Sequence, residues 1–431
     1  MVRYILSALL LPTMISLCIA GSEIPGAPQL KPIAIVKATV HTVSGGTLQN
    51  AAVVFDKGRI VSVGTAVEIP AGAVVIDGTG KHVYPGFIAP VAGTGLVEID
   101  AIRATRDIVE VGSFNPNVRA EVAYNPDSEI IPTVRYNGIL LANVAPQGGS
   151  ISGMSSVMRL DGWTREDITV VPTSALVVNW PQMDVVNAPW MKKSADEQRK
   201  EIDNNVRDLI DYLLAARAYS VAARAGVDSS KRDIRHEAMR AVFERGLPLM
   251  VHCTSQRQIE SVLDMQRQLG LKIILVGAQD ATRCLTQIKR AGVSIVIGRV
   301  HGLPRHEEDA YDATYTLPAT LAAEGIPFAF SEGGHWQQRN LPFNAGSSVA
   351  FGCSELDAEK GLTLWPAQML GIDASYGSLE VGKSATLFVS NGNALDARTN
   401  ILSYAFIDGR AVDLSNRHTK LATKYRARSK Q

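Results

Sequence analysis

Histidine and cysteine are both scarce. The 431 residues hold eight histidines and four cysteines, and no histidine lies between His82 and His236. Cys18 stands in an N-terminal apolar run, while Cys253, Cys284 and Cys353 are widely and irregularly spaced. That number and spacing exclude a disulfide framework and a zinc-knuckle pattern. An excess of one charge is missing too: 43 Lys and Arg face 42 Asp and Glu, for a formal net charge of +1. No global field therefore draws nucleic acid or an anionic membrane to the chain. Gly-x-Ser-x-Gly is absent, as is a dinucleotide fingerprint after a strand, which removes the usual signatures of a serine nucleophile and of a dinucleotide cradle.

What remains is the composition of an ordinary globular protein, 46% hydrophobic and 20% charged. The length exceeds one typical domain and suits one large barrel with a satellite. The first twenty residues stand apart. Arg3 supplies a positive start, an apolar run follows from Tyr4 to Ala20, and Cys18-Ile19-Ala20 ends it with small residues where signal peptidase cuts. A cleaved signal peptide over residues 1–20 is expected, giving a periplasmic or secreted chain with no membrane span after its removal.

From Ile33 to Val83 the text reads as short strands and tight turns, with Asp56-Lys57-Gly58-Arg59 linking two apolar runs. The other end mirrors it, with strands over Ala385–Val389 and Ala405–Ile407 and the turn Asp408-Gly409-Arg410. The middle alternates instead. A capping box from Ser194 to Glu197 opens a long helix with its apolar stripe at Ile202, Val206, Leu209 and Leu213. Strand-like runs follow at Leu249–His252, Ile273–Val276, Ser294–Ile297 and Pro327–Phe330, with helices between them ended by Gly270 and Gly292. Phe87–Ile88, Ile139–Val144 and Ser174–Val178 are upstream strands. That makes seven where a closed barrel needs eight, and the eighth is expected between Val178 and Leu247. Gly148-Gly149-Ser150-Ile151-Ser152-Gly153 reads as the bend of a hairpin over the barrel mouth.

Two stretches carry a resemblance. Val75-Ile76-Asp77-Gly78-Thr79-Gly80-Lys81 leads into Tyr84-Pro85-Gly86-Phe87-Ile88. The far end runs Pro366-Ala367-Gln368-Met369-Leu370-Gly371-Ile372, Gly377-Ser378-Leu379-Glu380-Val381-Gly382-Lys383-Ser384-Ala385-Thr386-Leu387 and Phe406-Ile407-Asp408-Gly409-Arg410. These ends resemble those of the imidazolonepropionase-like members of the amidohydrolase superfamily, with Thr386 where that family usually carries Asp. The resemblance implies an α/β fold: a TIM-type (β/α)8 barrel over 85–367, with a small composite β-sandwich built from 21–84 and 368–431. It also implies hydrolysis of a non-standard or cyclic carbon–nitrogen bond by metal-activated water.

The family's metal ligands are mostly missing. Aligned on Pro85-Gly86-Phe87-Ile88, the His-x-His positions fall at Val91 and Gly93, whose side chains cannot bind a cation. His252 stands where the fifth-strand histidine belongs. The sixth-strand position reads Gly277-Ala278-Gln279-Asp280, and the aspartate after the last strand is replaced by Ser331 or Glu332, with His335 close behind. His252, Glu332 and His335 are thus the candidate catalytic residues. His252, with His301 and His306 from the loop after the seventh strand, makes up the candidate metal ligands. The cofactor is either none or a weakly held divalent metal, zinc if any.

Two functions follow from different classes. One is a hydrolase of a small or peptide-like amide with an unusual site. The other is a metal-free relative that keeps the barrel as a binding or assembly protein, since a barrel is held by layered side chains and needs no metal to fold. Nucleic acid is not an expected partner, and assembly with like copies stays open.

Overall fold

The computed structural model describes residues 24–226 and 232–428. The signal peptide read at residues 1–20 lies outside them. Two eight-stranded sheets organise the chain.

The first sheet draws on both chain ends. It contains β1 (Ile33–His41), β2 (Thr47–Asp56), β3 (Arg59–Gly64), β4 (Val74–Asp77) and β5 (His82–Pro85), then β14 (Leu387–Ser390), β15 (Leu402–Ile407) and β16 (Arg410–Ala411). Its order is β16-β15-β14-β5-β1-β2-β3, with β4 also on β1. The first half of β1 pairs with β4 and the second with β5. Between them Lys37 takes a left-handed φ of 59°, which bends the strand and lets it serve two partners. The β2–β3 turn uses Lys57 and Gly58, both at positive φ, as a two-residue hairpin turn requires. Ile35, Val53, Phe55, Leu387, Val389 and Phe406 fill a core of the sheet's own.

The second sheet is the barrel wall: β6 (Phe87–Ala92), β7 (Ile139–Val144), β8 (Ile151–Arg159), β9 (Thr169–Asn179), β10 (Leu249–Cys253), β11 (Ile273–Gly277), β12 (Ser294–Ile297) and β13 (Phe328–Phe330). Neighbours in the chain are neighbours in the sheet. β13 returns to β6 with no ladder between them among the described residues, so the barrel is nearly closed.

The eighth strand corrects the sequence expectation. It is β8, not a segment between Val178 and Leu247, where the helix Ala195–Arg224 lies instead. β8 runs antiparallel to both β7 and β9, so the wall departs from eight parallel strands. Only residues 145–150 separate β7 from β8, far too few for the helical crossover that parallel neighbours need. Gly148 and Gly149 sit at positive φ in that link. The glycine–serine cluster does bend a hairpin, but the hairpin forms part of the wall.

Side chains alternate inward and outward along each strand. Ile88, Leu141, Val157, Ala175, Met250 and Val296 belong to the cluster inside the barrel, together with Met369 and Leu370 beside the helix Leu364–Met369. That helix plugs the N-terminal end. Outward residues such as Val178, Val251 and Leu275 join the larger core under the surrounding helices. The long helix starts as expected: Ser194 Oγ accepts from Glu197 N at 3.3 Å and Glu197 Oε2 accepts from Ser194 N at 2.8 Å. Gly270 and Gly292 end their helices in the left-handed region. Cys253, Cys284 and Cys353 are buried and free.

Candidate functional site

The C-terminal mouth of the barrel is where βα loops gather chemistry in this architecture. His252 sits there, two residues past the inward Met250, level with Asn179 of β9 and Val276 of β11. Burial pushes its imidazole down to about 4, because a charged ring in that setting loses hydration without a compensating carboxylate. The ring is neutral at neutral pH and has no hydrogen-bond or ion-pair partner among the described residues. It has the protonation state of a ligand or a base, but it stands alone.

The other candidates are committed elsewhere. Glu332 is 6% exposed. Its carboxylate accepts from Asn344 Nδ2 at 2.7 Å and lies 3.6 Å from Arg299 Nε. Its carbonyl accepts from Gln338 Nε2 at 2.7 Å, and the same amide reaches the Val91 carbonyl at 3.2 Å. Glu332 therefore clamps the exit of β13 to the helix Leu341–Ala350 and to β6. Ser331, the other residue at the expected aspartate position, donates to the Ile297 carbonyl at 2.8 Å. His301 Nε2 lies 2.7 Å from Ser347 Oγ.

His335 has moved into the space of a missing ligand. A β-carbon built on Gly93 would fall 2.5 Å from His335 Cε1, closer still to Nδ1, and 2.8 Å from Ile108 Cδ1. Those separations are far inside the 3.5–4.0 Å of normal carbon contact. The ring of His335 thus lies where a histidine side chain at position 93 would begin. Its Nδ1 is buried with no partner, and Nε2 points to Asp100 Oδ1 at 3.4 Å. Burial lowers its pKa, partly opposed by Asp100 and assisted by Arg106.

Sequence reasoning passed over two constellations. At the sixth-strand position Asp280, 4% exposed, accepts from His306 Nε2 at 3.0 Å and from Gln256 N at 3.0 Å, with Arg305 Nε at 3.4 Å. Arg305 also pairs with Asp184 at 2.6 Å, so the loops after β9, β11 and β12 are tied together across the mouth. His306 is spent on this tie. Deeper inside, Asn143 Oδ1 accepts from Ser174 Oγ at 2.6 Å, its Nδ2 donates to the Pro90 carbonyl at 2.9 Å, and Ser155 Oγ lies 2.8 Å from Ser174 Oγ. The partners come from four successive strands of the wall, β6 to β9, and no local pattern announces them.

A hydrolytic metal centre needs at least three N, O or S donors converging on one point. Among the described residues no three His, Cys, Asp or Glu gather in such a group. Val91 offers no donor, Gly93 is filled by His335, and Glu332 and His306 are held by other partners. The residues present do not fit the metal that the fold's relatives would suggest.

Of the comparisons with known proteins, the one with solved structures speaks to the fold. No protein-family model matches the sequence. No curated protein matches it either. Among solved structures, the chain is similar to an amidohydrolase from Thermotoga maritima MSB8, with a TM-score of 0.78 and 22% identity over 88% of this chain and 99% of that one. Molinate hydrolase superposes with a TM-score of 0.54 at 16% identity, over 91% of this chain and 96% of that one. A Xaa-Pro dipeptidase with bound methionine gives 0.54 at 11% identity, over 89% and 100%. At these identities the likeness is one of architecture. Barrel wall, two-ended sheet and structural neighbours lead to one statement: the chain has the amidohydrolase fold.

Proposed function

We propose that this chain is an exported amidohydrolase-superfamily protein whose barrel works as a binding or assembly partner without the family's metal centre. The observation that carries the reading is the interlock of Gly93 and His335. The second histidine position is not merely changed; its volume is taken by another side chain, so a ligand there has no room. The division into a barrel over 85–367 and a composite sandwich over 21–84 and 368–431 rests on sheet membership and on the separate core around Phe55 and Phe406. Export rests on the sequence of residues 1–20.

A second reading is favoured by His252. A neutral imidazole at the mouth has the state a general base requires, and the structural neighbours include a molinate hydrolase and a phenylurea hydrolase. On that reading His252 takes the proton from water, and a small or peptide-like amide is the substrate. The two readings separate on one assay. The mature chain is incubated with cyclic amides, Xaa-Pro dipeptides and N-acyl amino acids, with and without added zinc or manganese, and amine release is followed. The binding reading expects no turnover above the His252→Ala variant. Turnover that this variant abolishes would establish the hydrolase.

A further inference from the structure

A second concave site lies at the plugged end of the barrel, away from His252. A groove of about 610 Å³ lies at the N-terminal ends of β9 to β12, beside the helix Leu364–Met369 that plugs the floor. We propose that this groove binds a small organic dianion, a dicarboxylate or a phosphate monoester.

The charge of its lining is the first reason. Arg245 and Lys272 line it, and no lining residue is acidic. The chain as a whole carries 42 acidic residues against 43 basic ones, whereas the groove's lining holds two basic residues and no acidic one. Arg245 and Lys272 have no ion pair or side-chain hydrogen bond among the described residues. Two unspent cations beside one cavity form a site for two negative charges.

The second reason is the remaining donor set. Thr173, Ser294 and Gln368 also face the groove, and their side chains make no hydrogen bond among the described residues. They can donate to carboxylate or phosphate oxygens without breaking an existing bond. Gly246 turns at a φ of +66° beside Lys272, whose Nζ would lie in ordinary contact, 3.5 Å, from a β-carbon built there, so the ammonium rests along this turn at the groove's edge. The volume falls within the range of small-molecule sites and leaves room for the carbon skeleton of an organic dianion. This site stands independently of what the mouth does.

Isothermal titration on the mature chain at low and moderate salt tests it, with succinate and glycerol 3-phosphate as probes and succinamide and glycerol as neutral counterparts. At least one dianion is expected to bind, with affinity that weakens as salt screens the contact, while the neutral compounds give no heat. Lys272→Ala and Arg245→Ala should each weaken binding by about tenfold, and the double variant should abolish it. Both side chains are exposed, and unchanged melting of the variants confirms that the fold survives. Preference for one probe assigns phosphate or carboxylate chemistry. No heat from either dianion, or binding unchanged in the double variant, overturns the proposal.

Discussion

Adding one carbon at position 93 tests whether the interlock at the mouth is real. Gly93 does not use a left-handed backbone, so alanine meets no conformational penalty there. By itself that exchange would stabilise the protein by about 0.4–1 kcal/mol through the unfolded chain. The packing says otherwise, since the new carbon would meet His335 Cε1 at 2.5 Å and Ile108 Cδ1 at 2.8 Å. The ring must shift by about 1 Å to restore normal contact, and it is only 13% exposed. Overpacking of that kind costs about 1–3 kcal/mol, so Gly93→Ala should destabilise by a net of about 1–2 kcal/mol. His335→Ala removes the ring and leaves only the contact with the end of the Ile108 side chain. In urea titrations of the wild type, both single variants and the double variant, the double should recover most of the loss at position 93, with a coupling of about 1–2 kcal/mol. Additive effects within about 0.5 kcal/mol, or a stabilising Gly93→Ala, would refute the steric argument.

Two further perturbations address the other candidates. His252 is held near 4 in the folded chain against its usual 6.5, so the unfolded state takes up more protons as the pH falls through that window. Stability is full above about pH 6.5 and declines toward pH 4, by on the order of 3 kcal/mol from this group. His252→Gln should remove that share of the slope in urea midpoints between pH 7 and pH 4.5, and an unchanged slope would contradict it. Glu332→Ala leaves Asn344 Nδ2 with only the Asn340 carbonyl as acceptor in a buried setting and should cost about 1–3 kcal/mol. Glu332→Gln keeps an acceptor and should cost about half as much or less; equal, negligible costs would mean that the carboxylate is not a structural clamp.

Much of the architecture was legible because local rules and tertiary packing agree. Runs such as Ile139–Val144 and Ser294–Ile297 are strands over those residues, and Gly270 and Gly292 stop helices where left-handed glycine is needed. β8 was not legible. Its text, Ile-Ser-Gly-Met-Ser-Ser-Val-Met-Arg, carries glycine and three serines that read as a turn. The strand is buried on both faces, and its serines are satisfied only by distant residues: Ser155 by Ser174, Ser156 by Glu121 and the Pro172 carbonyl. The mouth divides similarly. Loss of donors at Val91 and Gly93 was plain from residue type. That His335 occupies the vacated volume, and that His306 is spent on Asp280, joins segments far apart in the chain and left no local trace.

The central claim, that the barrel keeps its fold without assembling a metal centre, is tested most directly by elemental analysis of the protein purified without added metal, alongside the His252→Ala variant. The account predicts well under one zinc or manganese per chain in both proteins, with equal thermal stability of the wild type with and without a chelator. A near-stoichiometric metal content in the wild type that disappears in the variant would contradict it.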